Sequence, residues 1–114
     1  MEKRFMTEAE ERYIQQASSF DHYAIVRIQI YTIDAEEVMF ENHCTPWQLP
    51  TEFADSVKKT VFDYAGEFNL TGILVCLTDA VWRKYDSSEM DFCIATLKVL
   101  MKVFPRQTEN EIIS

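Results

Sequence analysis

Residues 23–33 read YAIVRIQIYTI, and this stretch decides the fold class. Four aliphatic residues alternate along it with larger or polar ones: Ala24, Val26, Ile28 and Ile30. Such a period of two is typical of a strand that buries one face against a core. The segment therefore predicts a half-buried antiparallel strand. Its second face carries Tyr23 and Tyr31, and is either covered by a helix or free as a contact surface.

The residues that follow this strand suggest a hairpin. Asp34 and Ala35 resemble a turn, and residues 36–41 predict a second strand with Val38 and Phe40 on its inward side. The turn contains no glycine, so the hairpin type stays open.

The segment 70–86 is compatible with two structures. Its apolar run at residues 73–77 has the length of a buried strand, but the apolar residues around it also fit helical spacing. Gly72 before the run and Thr78 with Asp79 after it favour the strand.

Three further segments place apolar residues at helical spacing. The first begins with a capping box at residues 7–10 and predicts a helix over residues 7–18. The second, residues 51–68, has an apolar stripe opposite a charged one. The third begins with a capping box at residues 88–91, and Pro105 ends it.

These elements predict an α+β domain in the order α-β-β-α-β-α. A small antiparallel or mixed sheet, made of the hairpin and a third strand from segment 70–86, packs against two to three amphipathic helices. We expect the 114 residues to form one compact domain, with frayed tails at residues 1–6 and 106–114.

The charge balance argues against two classes of partner. Lys and Arg number 11, Asp and Glu number 19, and the net charge is -8. Direct binding to nucleic acid or to an anionic membrane depends on a cationic surface, so we expect neither. No signal-peptide core follows the first residues, and the 3 cysteines have no C-x-x-C spacing, so we expect a reducing, cytoplasmic location.

The candidates for chemistry are few. With 2 glycines, a three-glycine dinucleotide fingerprint is excluded. His43 and Cys44 are adjacent, and neighbours on an extended chain point to opposite faces, so they make a poor thiolate–imidazole pair. Cys76 and Cys93 lie in apolar segments, which disfavours a zinc site. We therefore expect no enzyme activity, no cofactor and no metal.

The segment between Arg27 and Lys58 contains no Lys or Arg. It predicts an anionic partner-binding surface formed by Asp34, Glu36, Glu37, Glu41, Trp47, Glu52 and Asp55. In this interpretation Trp47, between two prolines, is an apolar anchor. The alternatives are that the acidity only keeps the protein soluble and that Trp47 covers the core.

These features favour a small acidic protein-binding domain. The hypothesis is a stoichiometric inhibitor of a basic protein, of the immunity, antitoxin or anti-defence type, which attracts its partner through carboxylates. The alternative is a non-catalytic structural subunit that forms a homodimer through the sheet edge and the last helix, which carries Met90 and Met101.

Overall fold

The chain forms four strands and two helices in the order β-β-β-α-β-α. They are β1 (Lys3–Gln16), β2 (Asp21–Ile33), β3 (Val38–Asn42), α1 (Thr51–Phe68), β4 (Ile73–Val81) and α2 (Glu89–Val103). The structure is a computed structural model, and it describes residues 2–16 and 21–105. The strands form one mixed sheet in the order β1-β2-β4-β3. The predicted α+β class is confirmed.

The first element is a strand, so the helix predicted over residues 7–18 is wrong. Positions four apart share a face both in a helix and in a strand, and Ala9 and Tyr13 therefore fit either period. Non-local contacts decide between them, because β1 pairs with β2 over its whole length and places Ala9 opposite Ile28. Residues 3–6, which the sequence assigns to a frayed tail, also belong to β1. The predicted helix end at residue 18 and the tail at 106–114 lie outside the described residues.

The predicted hairpin is also wrong, because β3 does not pair with β2. It pairs in parallel with β4, with Phe40 opposite Val75. On its other side, β4 pairs antiparallel with β2 and places Val75 opposite Ile30. Residues 73–77 are all buried, and β4 lies in the interior of the sheet with a strand paired on each side. Parallel neighbours need a crossover connection, and α1 supplies it.

The other predicted elements are confirmed. β2 covers the predicted strand with two further residues at its start, and α1 has the predicted bounds. The segment 70–86 contains a strand, β4. The capping box of α2 is formed, with the Ser88 hydroxyl accepting from the Asp91 amide and the Asp91 carboxylate accepting from the Ser88 amide.

Both helices pack on one face of the sheet, α2 against β1 and β2 and α1 against β3 and β4. The core between them is aliphatic and aromatic, and its largest fully buried side chains include Phe92, Ile28, Ile30, Leu49 and Leu100. No helix of the described residues packs on the opposite face, which we name the open face. Among the described residues, neither helix is long and apolar enough to cross a membrane.

The two ends of the sheet carry different parts of the chain. At one end, Lys3 lies opposite Ile33 and Val38 lies opposite Ile73, so β1 begins there beside the 34–37 turn. We name this the proximal end. At the other end β3 and β4 finish and both helices begin. Loops 43–50 and 82–88 make the connections there, and we name it the distal end.

Candidate functional site

Loop 43–50 holds one large aromatic side chain in solvent. Trp47 is 90% exposed, whereas Leu49, two residues later, is 1% exposed and belongs to the core. The loop is braced from inside: the Gln48 amide donates to the Thr45 carbonyl at 3.0 Å, and the Gln48 side chain donates to Asp79 of β4 at 3.0 Å. The alternative that Trp47 covers the core is therefore wrong, since Leu49 does so.

Loop 82–88 presents a second exposed aromatic beside two cations. Tyr85 is 89% exposed, and Arg83 and Lys84 before it are accessible to solvent. The Ser87 hydroxyl accepts from the Arg83 amide at 2.8 Å and donates to the Tyr23 carbonyl at 2.5 Å. This serine therefore ties the loop to the start of β2.

Neither cation of this loop forms an ion pair within the described part of the chain. The Arg83 guanidinium lies 4.2 Å from the centre of the Tyr23 ring, and the Lys84 ammonium lies 5.5 Å from that of Tyr85. A cation on a ring face keeps its hydrogen-bond donors free. Both side chains are thus available to an anionic group such as a phosphate.

A buried carboxylate joins β2 to α2 beneath these loops. Asp91 is fully buried, and its Oδ1 lies 2.7 Å from His22 Nδ1. Its Oδ2 accepts from the backbone amides of Tyr23 at 3.2 Å and Ser88 at 3.1 Å. The capping box was predicted, but the contacts to β2 were not, because His22 and Asp91 are far apart in sequence. These bonds hold the distal end in one arrangement.

The residues of the predicted acidic surface lie in several parts of the fold, and their role in binding a partner stays a prediction. Asp34, Glu36 and Glu37 lie in the turn at the proximal end, whereas Trp47, Glu52 and Asp55 lie in loop 43–50 and at the start of α1, towards the distal end. β3 separates the two groups by roughly 13 Å, at about 3.3 Å per residue. Glu41 lies on the open face.

Glu41 has specific partners on that open face. Its Oε1 lies 2.9 Å from His43 Nε2 and 3.8 Å from the Cys76 sulfur. The hydrogen bond with His43 lowers the pKa of Glu41, and the charge of Lys3 acts in the same direction. Burial and the neighbouring Glu41 raise the pKa of the Cys76 thiol. Among the described residues, Glu41, His43 and Cys76 are the group of side chains with the spacing of metal ligands.

Cys44 is poorly suited to nucleophilic chemistry. It is buried, and desolvation raises the pKa of its thiol, with the charge of Asp79 adding to the effect. A thiolate nucleophile needs the opposite shift. His43 points to the open face with Glu41, so it does not activate its neighbour.

The sequence reasoning missed loop 82–88. Its signal was present, because residues 82–85 read WRKY, two cations between two aromatics. Aromatic and basic residues interleaved in this way are typical of surfaces that contact nucleic acid. The net charge of -8 instead favoured the acidic segment as the predicted binding surface.

Comparison with known proteins gives a family match and a structural match. The family model of elongation factor G, domain IV, matches residues 2–107. Among the solved structures, a protein from Thermus thermophilus superposes with a TM-score of 0.70 at 19% sequence identity, over 82% of this chain and 15% of that one. At this identity the superposition shows a shared fold. The matched region is less than a sixth of the length of the solved protein.

The family match overturns the sequence-based hypothesis of function. Elongation factor G is a translation factor, so the inhibitor of an immunity, antitoxin or anti-defence type is wrong. The partner prediction is wrong as well, since a family that works with the ribosome and tRNA contradicts both a basic protein partner and the exclusion of nucleic acid. The net charge of the chain was a poor guide to its partner, because it sums over surfaces of different composition.

The match extends from before β1 to beyond α2, so it includes every strand and helix described above. This chain belongs to the elongation factor G domain IV family.

Proposed function

We propose that this domain makes RNA contacts for translation on the ribosome, and that it makes them with the distal end. Family membership supports the ribosomal setting. The observation that carries the choice of surface is that Trp47 and Tyr85 are each about nine-tenths exposed at the same end of the fold.

The chemistry of the two loops suits RNA with unpaired bases. Bases that leave a helical stack bind to aromatic faces, and each such stack contributes about 1–3 kcal/mol. Trp47 offers one aromatic face and Tyr85 another, on loops braced by internal hydrogen bonds. Arg83 and Lys84, on the same loop as Tyr85, supply donors for phosphate oxygens.

The topology supports the same surface. β1 begins and α2 ends at the proximal end, opposite the distal loops. In this arrangement the domain reaches towards RNA with loops 43–50 and 82–88, and the acidic turn at residues 34–37 faces away from the phosphates.

The proposed role is binding and not catalysis, in one domain that acts in the cytoplasm where ribosomes work. The raised pKa of the Cys44 thiol supports this, because it disfavours nucleophilic chemistry near the distal end.

The test is co-sedimentation of the 114-residue chain with ribosomes across a salt series. Trp47→Ala and Tyr85→Ala are expected to weaken binding about 5- to 150-fold each, which is the loss of one stacked base. Arg83→Ala and Lys84→Ala are expected to reduce the slope of log affinity against log salt by about 1 each.

Two matched control variants make the same kinds of substitution away from the distal loops. Met101→Ala truncates an exposed apolar side chain in the last turns of α2, and Lys58→Ala removes an exposed cation from the middle of α1. Both are expected to bind as the unmodified chain does. Equal binding by the distal variants and the controls would refute the proposed surface.

A further inference from the structure

We propose that Glu41, His43 and Cys76 form a zinc-binding site on the open face of the sheet, where the edge strand β3 pairs with β4. The inference does not depend on RNA binding, and it concerns a different face of the molecule. It rests on the register of two strands and on the kinds of ligand atom that this register brings together.

The backbone places the three side chains on one face. Glu41 and Cys76 are lateral neighbours in the parallel pair of β3 and β4, so their side chains point the same way. His43 is two residues beyond Glu41, and its amide donates to the Leu77 carbonyl at 2.9 Å, which continues the ladder past the end of β3. Alternate residues of an extended chain share a face, so His43 joins the other two.

The spacing of the ligand atoms is close to that of a tetrahedral zinc site. Glu41 Oε1 is 2.9 Å from His43 Nε2 and 3.8 Å from Cys76 Sγ, and all three ligand atoms lie within 4.8 Å of one another. Zinc bonds of about 2.0–2.3 Å at tetrahedral angles place neighbouring ligands roughly 3.3–3.7 Å apart. Small rotations of the exposed Glu41 and His43 side chains would bring the atoms to these distances.

The donor set selects the class of metal. A thiolate, an imidazole and a carboxylate suit zinc and its cobalt substitute, whereas Mg²⁺ and Ca²⁺ prefer oxygen ligands alone. Three protein ligands leave the fourth position to water. Cys76 is fully buried, which fixes the sulfur at the base of the site, and the two exposed ligands leave an approach from solvent.

Metal binding replaces the proton of the Cys76 thiol, and that proton is released to solvent. His43 is the first residue of loop 43–50. A bound ion would therefore join the base of the loop that carries Trp47 to the central strand β4.

The experiment uses the full 114-residue chain after treatment with a chelator and a thiol reductant. Titration with Co²⁺ is expected to give the absorption band of a cobalt–thiolate bond at one ion per chain. Zn²⁺ is expected to abolish that band by displacement, and calorimetry with Zn²⁺ is expected to give one site. A chain that shows no such band and takes up no Zn²⁺ overturns the proposal.

The variants separate this site from other thiols. His43→Ala and Glu41→Gln change exposed residues and are expected to lower zinc affinity at least about ten-fold each. Cys76→Ser is expected to remove the cobalt–thiolate band, whereas Cys93→Ser and Cys44→Ser keep it. Unchanged affinity in the folded His43→Ala protein, or loss of the band in Cys93→Ser, contradicts the assignment. The ribosome-binding assay tests the proposed RNA contacts separately, because neither Trp47 nor Tyr85 is one of the proposed zinc ligands.

Discussion

His22 Nδ1 lies 2.7 Å from Oδ1 of Asp91, and this contact fastens the second strand to the first turn of the last helix. The same carboxylate accepts from two backbone amides, those of Tyr23 and Ser88. One buried side chain therefore satisfies three donors that come from two elements. No hydrophobic residue of similar size could replace these bonds.

Asp91→Ala is expected to lower the free energy of unfolding by about 3 kcal/mol. The substitution leaves the amides of Tyr23 and Ser88 and the ring of His22 without their acceptor, and losing one partner of a buried polar pair has a cost of this size. Urea unfolding followed by circular dichroism measures it. Asp55→Ala removes an exposed carboxylate and serves as the control, with a change within about 0.5 kcal/mol. A loss below about 1 kcal/mol for Asp91→Ala would show that the contact is dispensable.

Trp47→Ala and Leu49→Ala are expected to differ sharply although the residues are two apart. Leu49 is 1% exposed and its truncation opens a cavity, so the free energy of unfolding falls by about 2–5 kcal/mol. Trp47 is 90% exposed and its truncation changes the same quantity by no more than about 0.5 kcal/mol. Chemical unfolding of both variants decides the matter. A large loss for Trp47→Ala would assign that side chain to stability and weaken the case for a contact role.

The two glycines of the chain are expected to respond to alanine with opposite signs. Gly66 lies inside α1 with open space where a Cβ would go, so Gly66→Ala raises the free energy of unfolding by about 0.5–1 kcal/mol. Gly72 has φ +74 just before β4, and Gly72→Ala lowers that free energy by about 1 kcal/mol, because this backbone region is strained for L-residues.

The expected loss of stability in Gly72→Ala comes from the backbone conformation and not from a steric clash. A Cβ there would lie 3.5 Å from the Ala35 carbonyl oxygen, which is an ordinary contact. Thermal and urea unfolding of the two variants are compared side by side. Equal effects of the same sign at both positions would contradict the left-handed conformation assigned to Gly72.

Local sequence patterns predicted the two elements that are helical whatever they pack against, α1 and α2. α1 has the predicted bounds because a long apolar stripe admits one structure, and α2 begins at the predicted capping box. β1 was mistaken for a helix because the spacing of Ala9 and Tyr13 fits both periods, and its pairing with β2 decides the outcome. β3 pairs with β4 and not with β2, because β4 lies between β2 and β3 in the sheet. No local sequence pattern indicates this strand order.

The candidate sites divide in a similar way. Trp47 was identified from its proline-bounded loop, but its exposure could not be read from the sequence, since Leu49 is an equal candidate for the core. The proposed zinc ligands Glu41 and His43 are two residues apart in the sequence, at the end of β3 and just beyond it. Cys76 joins them only through the parallel register of β3 with β4, and its apolar neighbours made it resemble an ordinary core residue.

The parallel pairing of β3 makes the order of assembly differ from the order of synthesis. β1 and β2 are consecutive and can pair early, whereas β3 has no partner in the sheet until residues 43–72 have been made and β4 follows. Contacts between distant parts of a chain form slowly. During that interval Val38 and Phe40 stay uncovered on an unpaired strand, which can associate with other chains. A chain interrupted before β4 therefore exposes, on an unpaired strand, apolar side chains that the completed domain partly buries.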